Sequence, residues 1–170
     1  MIRYFKKAIP ISVLATSIIA SAALADSFTL RVGSGHPSKA TAYVGNMEKV
    51  LVPNIKKRVA AETDHKVRII EAYAGKIAKV HETLEAVEKG LLDIGSYCVC
   101  FETAKLLPWN FDYFVPFTTS NLITSVAVKN KIIKKFPYLT KMLEDKYNQK
   151  FIALQGFDDY GLGTVKQWSK

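Results

Sequence analysis

Ser34 and His36 stand two apart in Gly33-Ser34-Gly35-His36-Pro37. A hydroxyl beside an imidazole is raw material for nucleophilic catalysis, but neighbours on one loop do not make a triad, and the chain has no G-x-S-x-G elbow. His36 reads instead as a polar loop residue that lines a pocket or caps a helix. Cys98 and Cys100 are also two apart. On a strand they share a face about 6.5 Å apart, a poor match to relaxed disulfide geometry. A metal pair with His36, His65 or His81 is the sharper alternative, yet no histidine lies at ligand spacing from them. Two small buried side chains is the better reading. Glu85 and Glu88 fall on the exposed side of an amphipathic segment, where solvation accounts for them. The glycines of the first loop lack the third glycine of the dinucleotide fingerprint, so a phosphate-binding enzyme has little to stand on.

The elements that must position these residues follow from periodicity. Phe28, Leu30 and Val32 alternate with Thr29, Arg31 and Gly33, which predicts a half-buried strand. Val44, Met47, Leu51, Ile55 and Val59 recur at helical spacing from about residue 40 to 63. Pro53 interrupts this run and predicts a kink or two abutting helices. Val67 to Tyr73 is a second strand, rich in β-branched residues. Ile77, Val80, Leu84, Val87 and Leu91 form the cleanest helical stripe, with Gly90 where a residue just past a helix end belongs. Leu91 to Phe101 is near-continuously apolar and predicts a third strand covered on both faces. Helices are expected over 121–136 and 137–147, the second with proline in its first turn, and a further strand over 150–157. The aromatic run from Trp109 to Phe117 reads as packing rather than a stacking platform. Strand and helix alternate, so the fold class is α/β with parallel strands and long crossovers.

In open parallel sheets, ligands bind beyond the carboxyl ends of the strands. Ser34 to Pro37, Tyr73 to Lys76, Phe101-Glu102 and Asp158-Asp159-Tyr160 each follow a predicted strand and would share that edge. Glycines there let backbone amides approach a ligand.

The amino terminus carries its own signal. Arg3, Lys6 and Lys7 precede an uncharged, small and apolar stretch from Ala8 to Ala25, closed by Ala23-Leu24-Ala25. That is the pattern of a secretory signal peptide cleaved after Ala25, which implies export to the periplasm. The alternative, an uncleaved anchor, is weakened by Pro10 and the interspersed Ser and Thr. Net charge is +9; less the three charges of the peptide, the mature chain keeps +6. The positive residues around Lys56 and from Lys129 to Lys135 look like solvated helix faces. Small anions therefore fit better than nucleic acid, and no nucleic-acid partner is expected.

The segments Leu30 to Pro37, Val67 to Gly95 and Phe101 to Phe117, in that order after an export signal, resemble the solute-binding proteins of TRAP (tripartite ATP-independent periplasmic) transporters. Leu84-Glu85-Ala86-Val87-Glu88-Lys89-Gly90-Leu91-Leu92-Asp93-Ile94-Gly95 is the most characteristic part. The resemblance runs from about Phe28 to Lys170. It implies a non-catalytic, monomeric receptor with a periplasmic-binding-protein-like (type II, Venus-flytrap) lobe, a largely parallel sheet flanked by helices. Such a receptor needs no cofactor. It captures an organic acid, a carboxylate of the C4-dicarboxylate type among others, for membrane permease subunits driven by an ion gradient. Carried over by position, Ser34, His36, Tyr73, Tyr97 and Glu102 would reach the ligand, with Asp159 and Tyr160 near the hinge.

The resemblance divides the chain into a signal peptide (1–25), a first α/β lobe (26–150) and the start of a hinge strand (151–170). Family members are about twice this length, and their carboxylate-pairing arginine comes from the second lobe. Arg31, Arg58 and Arg68 are no substitute for it by position. The expectation is a fragment, its second lobe absent, that alone binds weakly or not at all. An ABC-type periplasmic receptor shares the same two-lobed plan. An exported α/β hydrolase and a stand-alone interaction module are more remote alternatives.

Overall fold

The computed structural model describes residues 26–115 and 119–156. Three parallel strands, β1 (Ser27–Gly33), β2 (Lys66–Ala72) and β3 (Ile94–Gly95), form a sheet in the order β2-β1-β3. β1 is the central strand. It pairs along its whole length with β2, from Ser27 opposite Lys66 to Gly33 opposite Ala72. Only its carboxyl end meets β3, through Val32–Ile94 and Gly33–Gly95. Burial follows the same gradient: Phe28 is about half exposed, whereas Val32 is fully buried. The core is thus concentrated at the carboxyl edge, where the loops leave the sheet.

Helices cover both faces. On one face lie α1 (Ala42–Asn46), a π turn (Met47–Leu51) and α2 (Val52–Glu62). Val44, Met47 and Val52 pack there on Val32 and Tyr73. Pro53 sits in the first turn of α2; of the expected kink or two abutting helices, the chain forms two helices joined by a π turn just before the proline. The wider turn makes room for a ring that would crowd the carbonyl four residues back. On the other face, α3 (Thr83–Glu88) sets Ala86 against Ala72, Ala78 and Leu92. A third layer, the 3₁₀ segment Leu107–Phe114 with α4 (Leu122–Lys135) and α5 (Tyr138–Tyr147), packs beyond α3. Leu84, Leu106, Trp109, Ile133 and Leu139 are its centre.

Local chemistry explains the ends of these elements. Gly90 takes φ +68° just past α3, and the Gly90 and Leu91 amides return to the Val87 and Ala86 carbonyls at 3.0 and 2.7 Å, a left-handed helix stop. The Asn121 side chain accepts from the Thr124 amide at 2.9 Å and caps α4.

Four expectations need correction. The helix predicted over 77–91 is α only from Thr83 to Glu88, preceded by a 3₁₀ turn at Val80–Glu82. Lys79 and Glu82 close that turn, with the Lys79 amide donating to Glu82 Oε2 at 2.9 Å, and Ile77 and Leu91 are exposed. The third strand is two residues long, because the chain bends into a 3₁₀ turn at Val99–Glu102. The apolar run after Gly95 is covered by the third layer instead of by strands. The cysteines form a Cys98–Cys100 disulfide with Cα atoms 5.2 Å apart. The bend brings them closer than a strand would, into the bridging range of about 4.4–6.8 Å, and removes the metal-pair alternative. Residues 150–156 form no strand; they are held by side chains, with Phe151 stacked 5.2 Å from Trp109. Asp159, Tyr160 and the export signal lie outside the described residues.

At the partly exposed join of β1 and β3, Asp93 accepts from the Arg31 amide at 2.7 Å and from Arg31 Nε and Nη2 at 3.0 and 3.1 Å. The Arg31 side-chain hydrogen bonds hold the Asp93 carboxyl below its ordinary range against slight desolvation, and the backbone bond and opposite charge add to them. A folded-state pKa below the unfolded one gives stability that is present above the unfolded value of about 4 and lost as pH falls through the folded value. Asp93→Asn should therefore flatten the acid limb of stability between about pH 5 and pH 2. Urea midpoints measured across that range check this; an unchanged limb would remove the pair from the account.

Candidate functional site

The three loops at the carboxyl edge are knitted together by backbone bonds. The Ser34 amide donates to the Ala72 carbonyl at 3.1 Å, the Ala74 amide to His36 at 3.0 Å, and the Ser96 amide to Gly33 at 3.0 Å. The first loop then folds over the start of α3. Its Gly35 amide donates to Thr83 Oγ1 at 3.2 Å, and Thr83 Oγ1 donates onward to the Lys79 carbonyl at 3.0 Å. Thr83 is fully buried, so the loop is pinned from beneath.

On this base stands a hub that the sequence reading did not name: the hydroxyl of Tyr43, on the first helix after the loop. It lies 2.7 Å from His36 Nδ1. Burial raises the Tyr43 pKa, and hydrogen bonds from the Cys98 backbone and the Ser34 side chain partly offset that rise. Where the phenol donates to Nδ1, the neutral imidazole carries its hydrogen on Nε2. Among the described residues nothing bonds to that Nε2. The ring is half-buried, edge-on to Tyr43 at 5.8 Å and tilted against Phe101 at 5.3 Å, and Phe101 also meets His81 edge-on at 5.2 Å. The result is an imidazole held through Nδ1 in an aromatic wall at a sheet edge, with Nε2 left for a ligand. This arrangement can bind an oxygen acceptor.

The seven candidate residues separate. Ser34 and His36 meet at Tyr43, with the His36 amide on Ser34 Oγ at 3.2 Å. Ser34 is 1% exposed, so it builds the loop from within. Tyr73 turns into the core beside the π turn and donates its hydroxyl to Glu71 at 3.0 Å. Burial, then Glu71, push its pKa well up. Tyr97 and Glu102 form a second group behind the third loop. The Tyr97 hydroxyl donates to Gln149 Oε1 at 3.0 Å, and Gln149 Nε2 donates to the Leu84 carbonyl at 2.8 Å. Burial foremost, with the charges of Glu102 and Glu85 beside it, raises the Tyr97 pKa. Glu102 is buried and pairs with Lys105 at 3.3 Å; Lys105 also pairs with Glu85. Asp159 and Tyr160 lie outside the described residues.

Of the arginines, Arg31 is taken by Asp93 and Arg58 by Glu62, and Arg68 is exposed on β2. Among the described residues no three His, Cys, Asp or Glu side chains gather as metal ligands. A signal for Tyr43 did exist: it stands seven residues after His36, where a first helical turn returns over the loop. The Tyr97–Gln149 pair spans 52 residues and had no local signal. No protein-family model, curated protein or solved structure matches this chain.

Proposed function

We propose that this chain is a periplasmic-binding-protein-type lobe of a TRAP-like solute-binding protein, which captures an organic acid for a membrane permease. The observation that carries the reading is the half-buried His36 imidazole, held by Tyr43 through Nδ1 at the carboxyl edge of a parallel sheet, with no partner on Nε2 among the described residues. A carboxylate oxygen is the natural acceptor for an N–H at that position. The strand order β2-β1-β3 with helices on both faces is compatible with one such lobe. The disulfide suits an oxidising compartment. A hydrolase reading is disfavoured by geometry: the imidazole Nδ1 bonds Tyr43, and Ser34 is buried within the loop, so the Ser34 hydroxyl is not presented for attack.

No arginine among the described residues reaches the cluster, and bidentate arginine is what makes carboxylate recognition strong. Binding by this chain alone should therefore fall in the millimolar range, corresponding to about 4 kcal/mol. The test is a titration with mono- and dicarboxylates, keto acids and sugar acids, followed by ¹⁵N NMR of the His36 ring and of the Gly35, His36 and Ala74 amides. At least one acid should shift these signals together, and His36→Ala should abolish the response. Tyr43→Phe should weaken it by releasing the ring. If every acid leaves them still, or chloride moves them equally, the reading falls.

A further inference from the structure

We propose that the Cys98–Cys100 disulfide is a thiol-exchange site for a low-molecular-weight thiol, and that its redox state sets the shape of the His36 cluster. A cross-link between residues two apart closes a very short loop and takes little freedom from the unfolded chain. The core clusters hold the fold elsewhere, so the effect of this bond is local. Both cysteines are only half-buried, at the edge where the loops meet solvent.

The two sulfurs are not equivalent. The Cys100 amide points at Cys98 Sγ, 3.3 Å away, and a backbone donor stabilises negative charge on that sulfur. Cys98 is therefore the better leaving group, and attack falls on Cys100 Sγ. An incoming thiolate forms a bond to Cys100 Sγ as the Cys98–Cys100 bond breaks. The electron pair leaves on Cys98, which then takes a proton from water. A second thiol, as its thiolate, attacks the sulfur of the first, releasing Cys100 as a thiolate that is protonated in turn. Overall, two thiols are oxidised to one external disulfide while the protein disulfide is reduced to two thiols.

The neighbours carry the change to the site. The Cys98 backbone is close enough to the Tyr43 phenol to lower its pKa, and Cys100 is followed directly by Phe101, whose ring centre lies 5.3 Å from that of His36 and 5.2 Å from that of His81. Opening the ring frees both supports of His36. Neither the exchange nor its consequence depends on which ligand the cluster takes.

The test uses the oxidised full chain in glutathione buffers, with acid quenching, alkylation and mass mapping, alongside circular dichroism and the His36 and Tyr43 ring resonances. We expect reduction of the folded protein, a transient glutathione adduct on Cys100, and movement of both rings on reduction. Cys98→Ser should accumulate that adduct in glutathione disulfide, and the Cys98 thiolate left in Cys100→Ser, still stabilised by the residue-100 amide, should react severalfold faster than Cys100 does in Cys98→Ser. Reduction only after denaturation, or an adduct on Cys98, overturns the exchange site. Reduced, folded protein with unmoved His36 and Tyr43 signals overturns the coupling. Should either variant fail to fold, the wild-type mapping decides alone.

Discussion

Trp109→Ala lowers the unfolding free energy by about 3–5 kcal/mol, the range for truncating a large buried aromatic. Trp109 is 5% exposed and belongs to the cluster that joins the 3₁₀ segment, α3, α4 and α5. Its loss leaves a cavity between elements that have no sheet to hold them in register. The indole N–H also donates to the Leu139 carbonyl at 3.1 Å, so the variant loses a buried hydrogen bond as well. Phe151 loses its stacking partner at the same time. The segment after α5, which carries Gln149 beneath Tyr97, should loosen with it. For a domain of this size the melting temperature should drop by roughly 10–15 °C. Trp109→Phe keeps most of the ring area and removes the hydrogen bond, so it should cost only about 1–2 kcal/mol. Calorimetry on the three proteins decides. If Trp109→Ala unfolds within a few degrees of wild type, the third layer does not contribute as its packing indicates.

Gly35→Ala acts on the site itself. A β-carbon there would meet the Val80 nitrogen at 2.2 Å and the Lys79 carbonyl carbon at 2.4 Å. Both are backbone atoms, so no side chain can swing away, and the first loop must lift off the start of α3. Overpacking of this kind costs about 1–3 kcal/mol, and contact with backbone puts it at or above the upper end. Lifting also breaks the Gly35–Thr83 bond and carries His36 away from Tyr43. The variant should therefore lose both stability and the ligand response of His36. Thr83→Val separates the two causes, because it removes the hydroxyl without filling the gap. It should cost about 1–3 kcal/mol by orphaning the Gly35 amide, yet leave the His36–Tyr43 contact in place. Thermal melts with the His36 ring resonance give both readouts. A Gly35→Ala protein with wild-type stability would mean that the loop does not rest on α3.

Much of this arrangement was legible in the sequence wherever the deciding interactions are local. β1 and β2 follow from alternation and β-branched content, because side-chain period and strand burial share one geometry. The Gly90 stop and the Asn121 cap are satisfied within a few residues of themselves. The placement of the first two loops at one sheet edge follows from parallel strands alone.

What only the tertiary structure decided depends on partners distant in sequence. The stripe over 77–91 reads as one helix, but Gly35 rests on the backbone at Val80 and the α-helix begins only at Thr83. The run over 91–101 reads as one strand, yet its apolar residues are covered by the third layer, and the chain is free to bend. That bend brings the cysteines within bridging distance. The imidazole of His36 was visible as a candidate. Its orientation was not, because Tyr43, Ser34 and Cys98 converge on it only when loops after two different strands meet. Spacing along a chain reports local geometry, whereas a hydrogen-bond network of this kind is set by how the elements close on one another.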